Sequence, residues 1–168
     1  MSKPKQQMSN KQIAICGVLL ALAIILSYLE SLIPINVIVP GIKVGIANIV
    51  TIIALKKIGL KEAIIISVGR IIVSGILFGN VTTIIYSLVG AALSMLVMYL
   101  VAKLKFFTTT GVSICGAIAH NVGQIIVAVL VFQNIHIAYY LIVLVMAGTI
   151  FGTIIGIIAG LIIRRIKL

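Results

Sequence analysis

The chain has 168 residues, of which 62% are hydrophobic and only 9% are charged. Soluble domains average about 45–50% apolar and about 25% charged residues, so this composition excludes a soluble protein and indicates one that lies in a lipid bilayer. Thirteen Lys and Arg stand against two acids, both Glu, for a formal net charge of +11. Because the chain contains no Asp, Asp-rich metal–diphosphate sites, Asp-based triads and Walker B acids are excluded within it.

The length fits one membrane domain. A transmembrane helix takes about 20 residues, so six helices use about 120 and leave about 48 for loops and ends. No room is left for a second, soluble domain. We therefore predict an all-α integral membrane protein, with a cytoplasmic tail over residues 1–11 and a single six-helix bundle over residues 12–168.

Six apolar runs follow one another along the chain. We predict spans over Ile13–Leu29, Val44–Leu55, Ala63–Phe78, Val81–Ala102, Val112–Phe132 and Ile135–Ile163. The first run is longer than a signal-peptide core and lacks a small-residue cleavage site, so we interpret it as a retained helix. The second run, about 18 Å long as a helix, is barely long enough to span. Pro34 and Pro40 break the stretch before it, and we expect residues 33–39 to fold over the outer mouth of the bundle as a lid.

The positive residues are concentrated in alternate gaps between these runs. Eleven of them lie in the N-terminal tail, the second–third gap, the fourth–fifth gap and the C-terminus: Lys3, Lys5, Lys11, Lys56, Lys57, Lys61, Lys103, Lys105, Arg164, Arg165 and Lys167. The other gaps hold Lys43 alone. The positive-inside rule then predicts a multi-pass protein of the bacterial cell membrane with both termini cytoplasmic. This distribution disfavours nucleic-acid binding, which needs a solvated basic face.

Arg70 is a charge that topology does not explain, because it lies at the centre of the third run. An arginine there costs several kcal/mol unless it is paired or faces a wet cavity. We expect no acid at its depth, since Glu62 lies near the cytoplasmic end of the third run and Glu30 near the outer end of the first. Two interpretations stay open. The guanidinium either fixes the bundle through carbonyls and amides, or it is the counter-charge for a carboxylate, phosphate or phenolate-like group of a ligand.

A polar cluster on the fifth run lies at about the depth of Arg70. His120, Asn121 and Gln124 share one broad helix face, because they are spaced by one, three and four residues. Such a cluster is either a cavity wall or an interhelical hydrogen-bond network. We assign it with Arg70 to a site for a small, anionic or aromatic ligand. Three further residues on the outer half complete the predicted site: Lys43, Asn48 and Asn80.

The residues of the chain do not combine into catalytic or metal chemistry. No Cys or acid is spaced to complete a metal site, and Cys16 and Cys115 stand singly in apolar runs as packing residues. No nucleophile–base pair and no G-x-x-x-x-G-K-[ST] loop is present. We therefore predict no enzymatic activity, no metal and no cofactor.

Small residues recur at helical spacing on three of the runs. They are Gly148, Gly152, Gly156 and Gly160 on the sixth run, Gly111, Cys115, Ala119 and Gly123 on the fifth, and Gly17 with Ala21 on the first. Lipid gives helices no hydrophobic reason to associate, so close backbone approach at such residues holds helices together. We interpret the sixth-run glycines as packing within this bundle. Gly17 and Ala21 are either packing or a docking surface.

Three motifs carry a resemblance to a known family. They are Pro40-Gly-Ile-Lys-Val-Gly-Ile-Ala-Asn48, Gly69-Arg-Ile-Ile-Val-Ser-Gly-Ile-Leu-Phe-Gly79 and Gly116-Ala-Ile-Ala-His-Asn-Val-Gly-Gln124. These motifs resemble the bacterial Gx transporter family, also labelled heptaprenyl diphosphate synthase component I, over almost the whole chain beyond the tail. That family is similar to the substrate-binding S components of energy-coupling-factor (ECF) vitamin transporters. S components are six-helix proteins that capture a vitamin or precursor outside and hand it inward through a membrane coupling subunit and two ATPases.

The resemblance implies a function and its alternatives. It implies an S component that captures a small vitamin- or precursor-like ligand, with a flavin- or quinone-related compound compatible with the proteins that accompany family members. It also implies that Gly17 and Ala21 dock onto the coupling subunit, with Gly where Ala is more usual. The alternatives are a membrane scaffold in flavin-based extracellular electron transfer and a non-catalytic membrane subunit associated with heptaprenyl diphosphate synthase.

Overall fold

The computed structural model describes residues 10–33, 44–104 and 106–166. Throughout these ranges the regular structure is helical, which confirms the predicted all-α class. The helices are α1 (Asn10–Ser31), α2 (Asn48–Lys57), α3 (Leu60–Phe78), α4 (Val81–Lys103), α5 (Thr109–Phe132) and α6 (Leu141–Arg165), with a 3-10 segment (Ile135–Tyr140) leading into α6. Each helix matches one predicted run. α2 begins four residues later than its run, and α6 begins six residues later than its run because the 3-10 segment precedes it.

Four of the described helices are long and apolar enough to cross a membrane: α1, α4, α5 and α6 with its 3-10 segment. In contrast, α2 has 10 residues and is about 15 Å long, half of a hydrocarbon core that is about 30 Å thick. α3 has 19 residues and carries Lys61, Glu62 and Arg70 among its apolar positions. The chain is thus a helical membrane protein. Six spans and two cytoplasmic termini stay predictions.

Side-chain caps set where α4 and α5 begin within otherwise apolar sequence. The Oδ1 of Asn80 accepts a hydrogen bond from the Thr83 N–H at 2.7 Å, and the Oγ1 of Thr108 accepts one from the Gly111 N–H at 3.2 Å. Each cap satisfies a backbone donor that the first helical turn leaves without an intrahelical partner. At the far end of α5, Gln133 takes a left-handed conformation (φ 50°) and ends the helix.

Glycines bring α4, α5 and α6 into backbone contact. A Cβ added at Gly123 of α5 would lie 2.8 Å from the Cα of Gly90 on α4. Cβ atoms added at Gly152 and Gly156 of α6 would lie 2.9 Å from the Cα of Ile114 and 2.6 Å from the Cα of Thr110, both on α5. The glycines of α6 therefore pack within the bundle, as predicted.

The other three helices pack differently. α2 is the innermost of them: its residues 49–54 are all buried, and it contacts α1, α3 and α6. α1 lies against α2 and α3 and buries two residues, Leu19 and Ala23. Gly17 and Ala21 lie on its exposed face.

Contacts between helix ends show which ends share a side of the bundle. The Nζ of Lys57, at the end of α2, donates to the carbonyl of Ile166 after α6 at 2.9 Å. At the opposite side, the Tyr28 ring near the end of α1 lies 5.5 Å from the Phe78 ring at the end of α3. These contacts agree with helices that alternate in direction. We call the side of Lys57 the basic end, and the side of Phe78, which the predicted topology places outside the cell, the outer end.

Candidate ligand-binding site

A small polar cavity lies inside the bundle, where the six described helices converge. Its volume is about 60 Å³, enough for a few water molecules, since one water needs about 10–15 Å³. Polar residues line it from α1 through α5: Glu30, Asn48, Arg70, Ser87, Ser94, Ser113, His120 and Asn121. We call this space the inner cavity. Polar side chains gathered at such a depth in an apolar bundle mark a candidate binding site.

A larger space of about 370 Å³ lies between the outer ends of α1 and α3 and the start of α4. Its walls include Ser31, Phe78 and Asn80, and we call it the vestibule. Three residues line both spaces: Glu30, Arg70 and Ser87. The Arg70 guanidinium therefore lies at the junction of the vestibule and the inner cavity.

Within the described part of the chain, the hydrogen bonds of Arg70 are few and long. One terminal nitrogen lies 3.4 Å from the Oγ of Ser27, and the other lies 3.3 Å from the Oδ1 of Asn48. Both exceed the usual range of about 2.7–3.2 Å for N–H···O bonds. The Nε is buried and has no partner among the described residues. A guanidinium carries five N–H donors, so this one keeps donor capacity for a further acceptor.

The expectation of no acid at the depth of Arg70 did not allow for the reach of the Glu30 side chain. Glu30 lines both spaces with Arg70, and its charge acts on the guanidinium. Ser27 of α1 already lies level with Arg70, so Glu30 is less than one turn further out, within the reach of two long side chains. A depth estimated from backbone positions alone therefore missed Glu30. The sequence did offer a signal, because Glu30 is the one acid in the outer halves of the predicted spans.

The start of α2 explains how Asn48 reaches Arg70. The Oε1 of Glu30 accepts a hydrogen bond from the Gly45 N–H at 2.7 Å, and Gly45 has a φ of +78°, a conformation that favours glycine. Residues 44–47 are not helical, yet Val44 and Gly45 line the inner cavity. Irregular backbone at membrane depth is tolerated where it is buried in protein or lines a wet cavity. The first residue of α2, Asn48, thus lies level with Arg70 in the middle of α3. α2 is short because it starts at this depth.

The predicted cluster on α5 separates into different environments. His120 and Asn121 line the inner cavity, and the His120 ring packs against α4, where a Cβ added at Gly90 would lie 3.0 Å from its Nδ1. The Nδ2 of Asn121 donates to the Leu144 carbonyl of α6 at 2.7 Å, so part of this amide holds two helices together. Gln124 is buried but is not among the lining residues of either space, and its Oε1 has no partner among the described residues.

The remaining predicted residues lie in different places. Asn80 caps α4 and also lines the vestibule. Lys43 and residues 34–39 of the predicted lid lie outside the described residues. Sequence reasoning missed the cavity serines Ser87 and Ser94; their spacing of seven places them on one face of α4, a signal that was available in the sequence.

Comparison with known proteins assigns a family. Residues 19–162, from α1 into α6, match the family described as heptaprenyl diphosphate synthase component I. No curated protein and no solved structure matches the chain. The resemblance to the family under this label is confirmed, whereas similarity to ECF S components stays a prediction. The chain belongs to the heptaprenyl diphosphate synthase component I family.

Proposed function

We propose that this membrane protein captures a small ligand at Arg70, as the binding component of an ECF-type transporter. The observation that carries the proposal is the guanidinium of Arg70, which the described residues satisfy only in part, at the junction of the vestibule and the inner cavity. A buried arginine whose only role was structural would have its donors satisfied by protein groups. The donors left over at Arg70 are available to a ligand that enters through the vestibule.

The sizes and chemistry of the two spaces define the ligand class. Ligand pockets usually measure about 300–1,000 Å³; the vestibule, at about 370 Å³, falls in this range and the inner cavity, at about 60 Å³, does not. The body of the ligand therefore occupies the vestibule, and an acceptor group such as a carboxylate, phosphate or phenolate lies against Arg70. The charge of Glu30 offsets part of the charge of Arg70 while the site is empty. A vitamin precursor of flavin or quinone type has this size and chemistry.

The exposed face of α1 supports the coupling step of this proposal. A Cβ added at Gly17 would have no neighbour within 4 Å among the described residues, and Ala21, one turn further, is exposed as well. A membrane coupling subunit with two ATPases would pack closely on this face, as small residues allow. Ligand capture and coupling would thus use opposite sides of α1.

A second candidate function is favoured by the family match. The family description names a component of heptaprenyl diphosphate synthase, so this chain would be the membrane subunit of that enzyme. Because the chain has no Asp, the Asp-rich site that holds Mg²⁺ and diphosphate would belong to a soluble partner. Reconstitution of that partner with and without this chain tests the candidate, which requires synthase activity that depends on this chain.

Ligand-dependent unfolding of the purified protein tests the first proposal. A ligand at about 100 times its Kd stabilises the folded protein by about 2.7 kcal/mol. We expect one member of a panel of flavins, naphthoates and vitamins to raise the unfolding temperature of the wild type but not of Arg70→Gln. Arg164→Gln is the matched control, since it removes the same charge from an exposed position. Equal stabilisation of Arg70→Gln, or no response to any compound, would contradict the proposal.

A further inference from the structure

An apolar groove runs between α3 and α4 and shares no described lining residue with the inner cavity or the vestibule. Its volume is about 320 Å³. α3 contributes Leu60, Ile64 and Val68, one residue per turn, and α4 contributes residues from Leu88 to Tyr99. On its rim, Ile64 is 42% exposed and Val68 is 37% exposed. The groove is therefore open on the side of the bundle, where a membrane helix faces lipid.

The length of the groove matches one leaflet of a bilayer. From Leu88 to Tyr99 the helix rises about 16 Å, and half of a hydrocarbon core is about 15 Å. One end of the groove is formed by Leu60, the first residue of α3, and Tyr99, in the last turns of α4. Both residues lie toward the basic end of the bundle. The groove thus extends from the basic end to the middle, as one acyl chain of a lipid does.

The end of the groove at the membrane surface is positively charged. The Nζ of Lys103 lies 4.2 Å from the centre of the Tyr99 ring, and Tyr99 lines the groove. Lys61 follows Leu60 in the sequence and is exposed. Glu62, the acid of the same turn, faces elsewhere: its Oε2 would lie 2.8 Å from a Cβ at Gly59, and its charge acts on Cys16 of α1.

We infer that this groove binds one acyl chain of an anionic phospholipid, whose phosphate lies beside Lys103 and Lys61. Basic residues at the surface end of a cleft between membrane helices are the expected recognition elements for such headgroups. A long prenyl chain carrying a diphosphate shares the anionic head but would extend past the midplane end of the groove. The inference does not depend on the proposed function, because it uses none of the residues at Arg70.

Fluorescence quenching tests the inference, because the chain contains no Trp. Leu96→Trp places a reporter on the groove, since Leu96 lines it and is 54% exposed. Ile126→Trp on α5, 46% exposed, is the control: it lies about as far from the opposite end of the bundle, where the last turn of α5 has no basic residue. Each protein is placed in vesicles with brominated phosphatidylglycerol or brominated phosphatidylcholine. We expect phosphatidylglycerol to be favoured at Leu96→Trp by about fivefold per lysine, and the two lipids to quench Ile126→Trp equally.

Charge variants decide whether the lysines cause this preference. Lys103→Gln, added to Leu96→Trp, should lower the preference for phosphatidylglycerol about fivefold, whereas Lys11→Gln, at the start of α1, should leave it unchanged. Both lysines are exposed, so neither change threatens the fold. Three results would overturn the inference: equal quenching of Leu96→Trp by both lipids, a preference that Lys103→Gln leaves undiminished, or recovery of fluorescence on adding farnesyl diphosphate, which would make a prenyl diphosphate the occupant.

Discussion

The small residues of α6 and those of α1 follow the same sequence pattern but have opposite surroundings. Gly152 and Gly156 of α6 lie against the backbone of α5, so close that an added Cβ would clash. Gly17 of α1 has open space where its Cβ would be, within the described part of the chain. Spacing of small residues therefore predicts that a helix can be approached closely, but not whether the approaching helix belongs to the same chain.

The largest effect that separates these regions is expected at Gly156. Gly156→Leu forces a side chain against the Thr110 backbone, where even a Cβ would lie 2.6 Å from the Cα. Overpacking of this kind costs about 3 kcal/mol of unfolding free energy. Circular dichroism during detergent-induced unfolding measures it. An unchanged midpoint would show that α5 and α6 separate easily. The glycines of α6 would then not differ from those of α1 in their role in packing.

Smaller changes in unfolding free energy, which differ between positions, are expected at two other glycines of α6, Gly148 and Gly160. A Cβ at Gly148 would lie 2.9 Å from the Nδ2 of Asn121, so Gly148→Ala displaces the amide that donates to Leu144. Leaving that buried donor without a partner costs about 2 kcal/mol. Gly160→Ala is the matched control, because its Cβ would meet Thr109 at an ordinary 3.8 Å, and it should gain about 0.5–1 kcal/mol from helix propensity. The same unfolding titration compares the two, and equal changes would contradict the assigned role of Asn121.

Much of the fold could be predicted because apolar runs and helix caps are local signals. The runs located each helix, and Asn80 could be expected to cap α4. The start of α2 could not, because it depends on the bond from the Gly45 N–H to Glu30, two residues 15 positions apart. A left-handed glycine inside an apolar run gives no local sign that the helix begins after it.

The candidate site was predictable to the extent that polar residues in apolar helices tend to gather. Arg70, Asn48, His120 and Asn121 do line one cavity. Gln124 does not, although it shares a face with His120, because it lies one turn further along α5, beyond the lining residues of the cavity. Helical spacing gives the direction of a side chain and leaves open how far along the helix a cavity extends.

The smallest effect on stability, and the sharpest test of the comparison, is expected at Gly17. Gly17→Leu should leave the unfolding midpoint unchanged, because a Cβ there has no neighbour within 4 Å in the described structure. The same variant should lose co-purification with a coupling subunit, since a leucine keeps the partner helix from approaching the α1 backbone. Val18→Leu, on the neighbouring exposed position, changes size without removing a glycine and should keep the partner. Destabilisation of the isolated protein by Gly17→Leu would instead place this face inside the fold, and α1 would then resemble α6. Retention of the partner with an unchanged midpoint would show that the coupling subunit contacts another surface. The two measurements together therefore distinguish a docking face from a packing face and from a face that only lipid contacts.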